Sequence, residues 1–119
     1  MASMPATSPQ ELHALLEAAF TSGDLDALIA LFEPDATMRV PPDGHAVSGR
    51  DAIRAALAPI VARRPRFTSE VVVLATAGEL ALTHARWTMD DTDGRGTLVL
   101  RRQPDGTWRI AIDNPLGAR

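Results

Sequence analysis

The chain has 119 residues and a net charge of −3, with 45% apolar and 23% charged residues; this is the profile of one globular domain that buries roughly two-thirds of its unfolded surface. The acidic balance argues against nucleic acid, which rewards a basic surface, and no apolar run approaches the roughly 18 residues that span a membrane. Cysteine, lysine and tyrosine are all missing, which removes disulfides, thiolate metal sites, Schiff-base chemistry and phenolic oxyanion donors.

Met1 to Pro9 has neither the basic region nor the apolar stretch of a targeting segment. Residues 1–8 read as a short flexible tail, and the protein is expected to be cytoplasmic. Ser8-Pro9-Gln10-Glu11 forms a capping box with proline at the first helical position: Ser8 can accept from the Glu11 N–H while the Glu11 side chain reaches back. Leu12, Leu15, Leu16, Ala19 and Phe20 give that helix one apolar face. His13 lies off this stripe, one turn from Glu17, and is expected to be solvated. Gly23 ends the helix. Asp24 can cap a second one, with Leu25, Leu28, Ile29 and Phe32 on its buried side and a stop before Pro34.

Ala36, Met38 and Val40 alternate with Thr37 and Arg39 as a short strand, which Pro41-Pro42-Asp43-Gly44 terminates. His45 follows in the loop. A third helix is expected from Ser48, whose hydroxyl can cap the Asp51 N–H, with Ile53, Leu57 and Ile60 or Val61 as its stripe. Pro59 should kink it. Arg63, Arg64 and Arg66 fall where this helix ends, and cations there complement its dipole.

The remainder reads as strands. Phe67–Thr76 is rich in β-branched residues and turns through Ala77-Gly78 into Leu80–Asp90. Asp91-Thr92-Asp93-Gly94 is a polar connection; it is similar to a calcium loop but lacks the closing Glu, so it reads as a hairpin turn and no metal is expected. Thr97–Gln103 and Thr107–Asp113 form a second hairpin around Pro104-Asp105-Gly106. Helices followed by a meander read as one α+β domain over residues 1–119, with helices on one face of a mostly antiparallel sheet.

The stretch from Gly23 through Asp24, Leu25, Leu28, Phe32 and Pro34 to Ala36 resembles the second helix of the nuclear transport factor 2-like superfamily. That group includes ketosteroid isomerases and polyketide-cyclase-like (SnoaL-like) proteins. Gly49-Arg50-Asp51-Ala52-Ile53 resembles the entry to its third helix, and Asp105-Gly106-Thr107-Trp108-Arg109-Ile110 its closing hairpin. The resemblance runs from about Glu11 to Gly117. It implies a cone-shaped roll in which a curved, mixed, mostly antiparallel sheet wraps the helices and leaves an apolar pocket. It also implies a homodimer packed through the outer sheet face.

The chemistry known on this scaffold does not carry over. The positions that match the isomerase base, helix-one tyrosine and protonated aspartate hold Val40, Leu16 and Gly96 or Thr97. Limonene epoxide hydrolases place an Asp two residues after an Arg, and here Arg86 is followed by Thr88.

Along the Leu80–Asp90 strand, Leu80, Leu82, His84, Arg86 and Thr88 share one face, and Ala81, Thr83, Ala85, Trp87 and Met89 the other. Alignment with the isomerase pattern turns the His84–Arg86 face toward the pocket and Trp87 toward a dimer partner, although a one-residue slip exchanges the two. His84 is then the candidate general acid or base, or a hydrogen-bonded core or interface histidine. Arg86 can bind an anionic oxygen or pair internally with Asp113. On the last strand Trp108, Ile110 and Ile112 form the apolar side with Asn114, which places Asp113 away from the pocket or at its rim.

The candidate catalytic set is therefore His84, Arg86 and Asp113. The candidate pocket residues are Leu16, Phe20, Phe32, Met38, Val40, Phe67, Thr88, Trp108, Ile112 and Asn114. The expected ligand is a small apolar molecule with one or two polar groups, and any reaction would be a cofactor-free isomerisation, cyclisation or water addition. The rival expectations are a non-catalytic ligand-binding module and a dimeric interaction module.

Overall fold

The computed structural model describes residues 5–118. Helix α1 (Pro9–Ser22) starts where its cap predicts: Ser8 Oγ accepts from the Glu11 N–H at 3.1 Å. Glu11 reaches back one residue further than expected, its carboxylate accepting from the Thr7 N–H at 2.8 Å. Gly23 closes the helix at φ 73°, in the left-handed region that lacks a penalty only for glycine. Asp24 caps α2 (Leu25–Ala30) by accepting from the Ala27 N–H at 3.0 Å.

The second helix is shorter than its apolar pattern suggested. Phe32, expected on its buried side, instead opens strand β1 (Phe32–Val40). A short strand, β2 (His45–Ser48), pairs antiparallel with β1; its four residues, two polar ones flanking Ala46 and Val47, gave no alternation to find it by. Helix α3 (Arg50–Ala62) has Gly49 at its cap and no side-chain cap bond. Ser48, expected in that role, lies in β2 with its hydroxyl 2.9 Å from Thr37 Oγ1. The helix runs on through Pro59, which is exposed.

Strands β3 (Phe67–Ala77), β4 (Leu80–Met89), β5 (Thr92–Arg102) and β6 (Trp108–Asn114) form a meander. The polar connection is tighter than expected, because β5 already begins at Thr92. The six strands lie in the order β2-β1-β6-β5-β4-β3. Only β1 and β6 run parallel, so the sheet is mixed and mostly antiparallel, curled around three helices without closing. The domain is α+β. Leu12, Leu28, Phe32, Ile53, Leu100 and Ile110 are fully buried between helices and sheet, each worth about 1.5–3 kcal/mol relative to exposure.

Ala6, within the expected tail, is buried and accepts from the Trp108 N–H at 2.9 Å; residues 1–4 of that tail lie outside the described residues. No helix among the described residues is long and apolar enough to cross a membrane.

Irregularities in pairing decide which side chains look inward. In β3, Val71 pairs with Ala85 and Val73 with His84, so Val72 is an extra residue. In β6, Ile110 pairs with Leu100 and Ile112 with Val99, so Ala111 is extra. Against β6, β1 advances from Phe32 to Thr37 while its partner advances only from Ile110 to Ile112. Such bulges bend a strand and reverse the alternation beyond them.

Candidate functional site

The curled sheet and the helices enclose a cavity of about 130 Å³. Its wall is apolar: Leu16 and Phe20 of α1, Leu28 of α2, Phe32 and Met38 of β1, Leu57 and Ile60 of α3, and Phe67, Ala85, Trp87, Met89 and Leu98 of the meander. The polar side chains that the lining residues offer the cavity are those of His13, Ser69 and Asp113; Thr97 borders it as well, but its hydroxyl lies on the outer side of the sheet, 3.2 Å from His84 Nδ1. No group of His, Asp and Glu among the described residues is placed to hold a metal ion.

Two features of β5 make the room. A Cβ on Gly94 would stand 2.5 Å from the Trp87 ring, so only glycine admits the indole there. A Cβ on Gly96 would meet the backbone of Pro115 at 3.0 Å, so glycine lets the C-terminal turn close over the sheet. The two meet where Trp87 Nε1 donates to the Pro115 carbonyl at 2.9 Å.

Asp113 stands among apolar side chains. Its cross-strand neighbours are Met38 on β1 and Leu98 on β5, and both line the cavity. The Ala111 bulge explains its orientation. Trp108 and Ile110 are buried, the extra residue reverses the alternation, and Asp113 turns inward while Ile112 turns out and is 46% exposed. Ile112 therefore does not continue the apolar side as expected, and of the two expectations for Asp113, away from the pocket or at its rim, the first is overturned. No cation or hydrogen-bond donor among the described side chains meets the Asp113 carboxyl. The residue as a whole is half-buried, and desolvation of a carboxyl with no such partner pushes its pKa up to about 7.

The face of β4 is also reversed. Ala81, Thr83 and Ala85 are buried and Trp87 and Met89 line the cavity, whereas Leu82, Arg86 and Thr88 are exposed on the outer side. His84 shares that outer side, its Nδ1 3.2 Å from Thr97 Oγ1. Arg86 lies between Glu70 and Arg95 in the strand pairing and cannot pair with Asp113 through the sheet. Thr88 Oγ1 is 2.6 Å from Thr68 Oγ1. The outward turn follows from the pleat: α1 packs against β3 and β4 through the residues that alternate with His84, so one choice of inner face fixes all ten positions.

Among the residues read from the sequence, Leu16, Phe20, Phe32, Met38, Phe67 and Asp113 are brought together at the cavity. Val40, Thr88, Trp108, Ile112 and Asn114 are not. Val40 is half-buried at the end of β1, opposite His45. Trp108 is buried in the core beside Ala6. Asn114 accepts from Arg39 Nη1 at 2.9 Å and donates to the Gly117 carbonyl at 2.8 Å.

His13 is the residue that sequence reading missed. It is 3% exposed rather than solvated, with Nδ1 2.8 Å from Ser69 Oγ and Nε2 2.8 Å from Thr83 Oγ1. Burial lowers its pKa to about 4, so the ring is neutral at physiological pH. Glu17, one turn on, is not its hydrogen-bond partner; the Glu17 carboxylate accepts from the Ser69 backbone N–H at 2.7 Å. A signal was present. His13 is four residues from Pro9, three from Leu16 and seven from Phe20, all buried, so it completes a second apolar stripe beside the Leu12 one.

Residues 12–113 match the model of the SnoaL-like domain. No curated protein matches the chain. Among solved structures, a candidate calcium/calmodulin-dependent protein kinase type II association domain from Thiobacillus denitrificans superposes with a TM-score of 0.81 at 20% identity, covering 100% of both chains. A candidate dehydratase of the nuclear transport factor 2-like family from Streptomyces avermitilis gives 0.71 at 19% identity, over 87% of this chain and 88% of that one. A nuclear transport factor 2-like protein of unknown function from Shewanella oneidensis MR-1 gives 0.73 at 21% identity, over 87% and 92%. At these identities the likeness is one of fold. With the family model covering all but the ends of the domain, the chain belongs to the SnoaL-like family, within the nuclear transport factor 2-like fold.

Proposed function

We propose that this protein binds a small, largely apolar molecule in the cavity and moves a proton on it with Asp113, without a cofactor. The observation that carries this reading is an uncompensated carboxyl in an apolar enclosure, its pKa pushed up to about 7. A general acid or base works best when its pKa lies near the working pH, and an ordinary surface aspartate is far too acidic to return a proton at neutrality. The matching reactions are isomerisation, cyclisation, or elimination or addition of water. One of the solved structures of like fold is itself a candidate dehydratase.

The cavity volume limits the occupant. At about 130 Å³ it is comparable to an apolar cavity of roughly 150 Å³ that takes benzene, so the enclosed part of the ligand is about one small ring. The test is a carbon-detected NMR titration of the Asp113 carboxyl together with a screen of small cyclic ketones, alcohols and alkenes. Binding or turnover should follow a pKa of about 7 that disappears in Asp113→Asn. A carboxyl that titrates near 4, or a cavity that takes none of these molecules, would refute the reading.

A second reading concerns assembly. We propose that the outer sheet face pairs with a second copy of the chain. Val73, Leu80, Leu82 and Ile112 are exposed there by 41–49%, and cross-strand pairing makes them neighbours with Ala75 and Val99. A contiguous apolar patch of this kind on a soluble domain marks an interaction surface. Sedimentation should give a dimer; a monomer at micromolar concentration would refute it.

A further inference from the structure

The acid–base reading leaves a second polar arrangement unused, at the wall built by α1 and β3. Both ring nitrogens of His13 meet a hydroxyl at 2.8 Å, that of Ser69 at Nδ1 and that of Thr83 at Nε2. A neutral imidazole carries one N–H and one lone pair, so the two hydroxyls must play opposite roles. Thr83 decides which is which. Its side chain is fully buried, and among the described residues His13 Nε2 is the partner of its hydroxyl.

Were the proton on Nε2, the Thr83 hydroxyl could only accept, and its own hydrogen would be stranded in apolar surroundings. An orphaned buried donor is the rarer and costlier loss, because an oxygen tolerates a spare lone pair. The Thr83 hydroxyl therefore donates to Nε2, the ring proton sits on Nδ1, and Nδ1–H donates to Ser69 Oγ. Ser69 in turn keeps an unused O–H. It lines the cavity, and the bond from its backbone N–H to Glu17 holds it against α1.

We infer that this chain of bonds makes Ser69 a hydrogen-bond donor to the cavity's occupant, which therefore carries a neutral acceptor oxygen, a ketone or aldehyde carbonyl above all. Donation from His13 into Ser69 Oγ polarises the hydroxyl and strengthens the bond it gives. An anionic oxygen is disfavoured, since no arginine is among the lining residues and Asp113 shares the cavity. The same arrangement keeps Ser69 from acting as a nucleophile, because the adjacent ring nitrogen already holds a proton.

The inference rests on the cavity being the ligand site proposed above. Its test uses cyclopentanone and its hydrocarbon isostere methylenecyclopentane, at roughly pH 9 so that an ionised Asp113 cannot donate. The ketone should bind roughly twofold to tenfold more tightly than the isostere, the range of one neutral hydrogen bond. Its carbonyl stretch should fall to lower frequency in the wild type, return to the apolar-solvent value in Ser69→Ala and fall again in Ser69→Thr. Independently of any variant's folding, nitrogen-15 NMR of the wild type should show the His13 proton on Nδ1. A proton on Nε2, or the same carbonyl stretch in wild type and Ser69→Ala, overturns the inference. Equal binding of the two probes overturns it while the cavity reading stands; failure of both to bind overturns the two together.

Discussion

Replacing Asp113 by Asn isolates the cost of holding an acid in the cavity. Below about pH 3.8 the carboxyl is protonated in the folded and the unfolded chain alike, and burial of the neutral acid costs little. Between about 3.8 and 7 the unfolded chain releases its proton and the folded chain keeps it. Stability then falls by about 1.4 kcal/mol per pH unit through this group, and the loss is complete at about 4 kcal/mol once the folded pKa is passed. His13 acts in the opposite sense. With its pKa lowered from 6.5 to about 4, the unfolded chain binds a proton that the folded chain refuses, so stability rises through the same acid range. The two slopes nearly cancel in the wild type between about pH 4 and 6.5. Asn cannot titrate, so Asp113→Asn should lose the cancellation and show the His13 slope alone. Urea midpoints measured from pH 4 to 8 should give a variant-minus-wild-type difference that grows by about 4 kcal/mol and levels off above neutrality. A difference that stays constant with pH would mean that Asp113 titrates alike in both states, and the buried acid would not exist.

His13→Leu should destabilise the domain by about 2–4 kcal/mol, since it leaves the Ser69 and Thr83 hydroxyls without their partner; thermal unfolding checks this, and a neutral effect would return His13 to the surface. Gly94→Ala should displace the Trp87 indole, break its bond to the Pro115 carbonyl and cost about 1–3 kcal/mol; a red shift in tryptophan emission would report it, and unchanged emission would refute the packing. Leu82→Glu, at an exposed outer position, should abolish the proposed dimer in sedimentation while leaving monomer stability within about 0.5 kcal/mol. Retention of the dimer would remove that face from the interface.

The parts of the fold that were legible are those written in short stretches of chain. The Ser8 cap, the Gly23 stop and the Asp24 cap each involve residues within a few positions of one another, and all three form. The Ala77-Gly78 and Asp105-Gly106 turns fix two hairpins in the same local way. The illegible parts depend on contacts far apart in sequence. Alternation in β4 gives two faces, but Leu80 and Leu82 on one balance Trp87 and Met89 on the other, so composition does not say which is inner. That choice is made by α1, whose His13 reaches Thr83 seventy positions away. The buried arc of α1 is likewise wider than a single stripe because the curled sheet wraps it, which is why His13 is inside.

Asp113 shows the same limit in its sharpest form, since a single residue in the wrong count reverses its direction. A strict period of two through β6 sends Trp108, Ile110, Ile112 and Asn114 to one side and leaves Asp113 on the other. The extra Ala111 moves Asp113 to the inside and Ile112 to the outer patch. The opposing stretch of β1, from Phe32 to Thr37, loses regular pairing at the same level of the sheet. Bulges on adjacent strands bend a sheet where a regular ladder would stay gently twisted. One local irregularity therefore does two things here. It curls the sheet where the cavity lies, and it turns into that cavity a carboxyl whose pKa desolvation raises to about 7. In this chain the shape of the cavity and the carboxyl inside it arise together from how β6 is paired, which is why neither could be assigned by matching positions to the isomerase or hydrolase patterns.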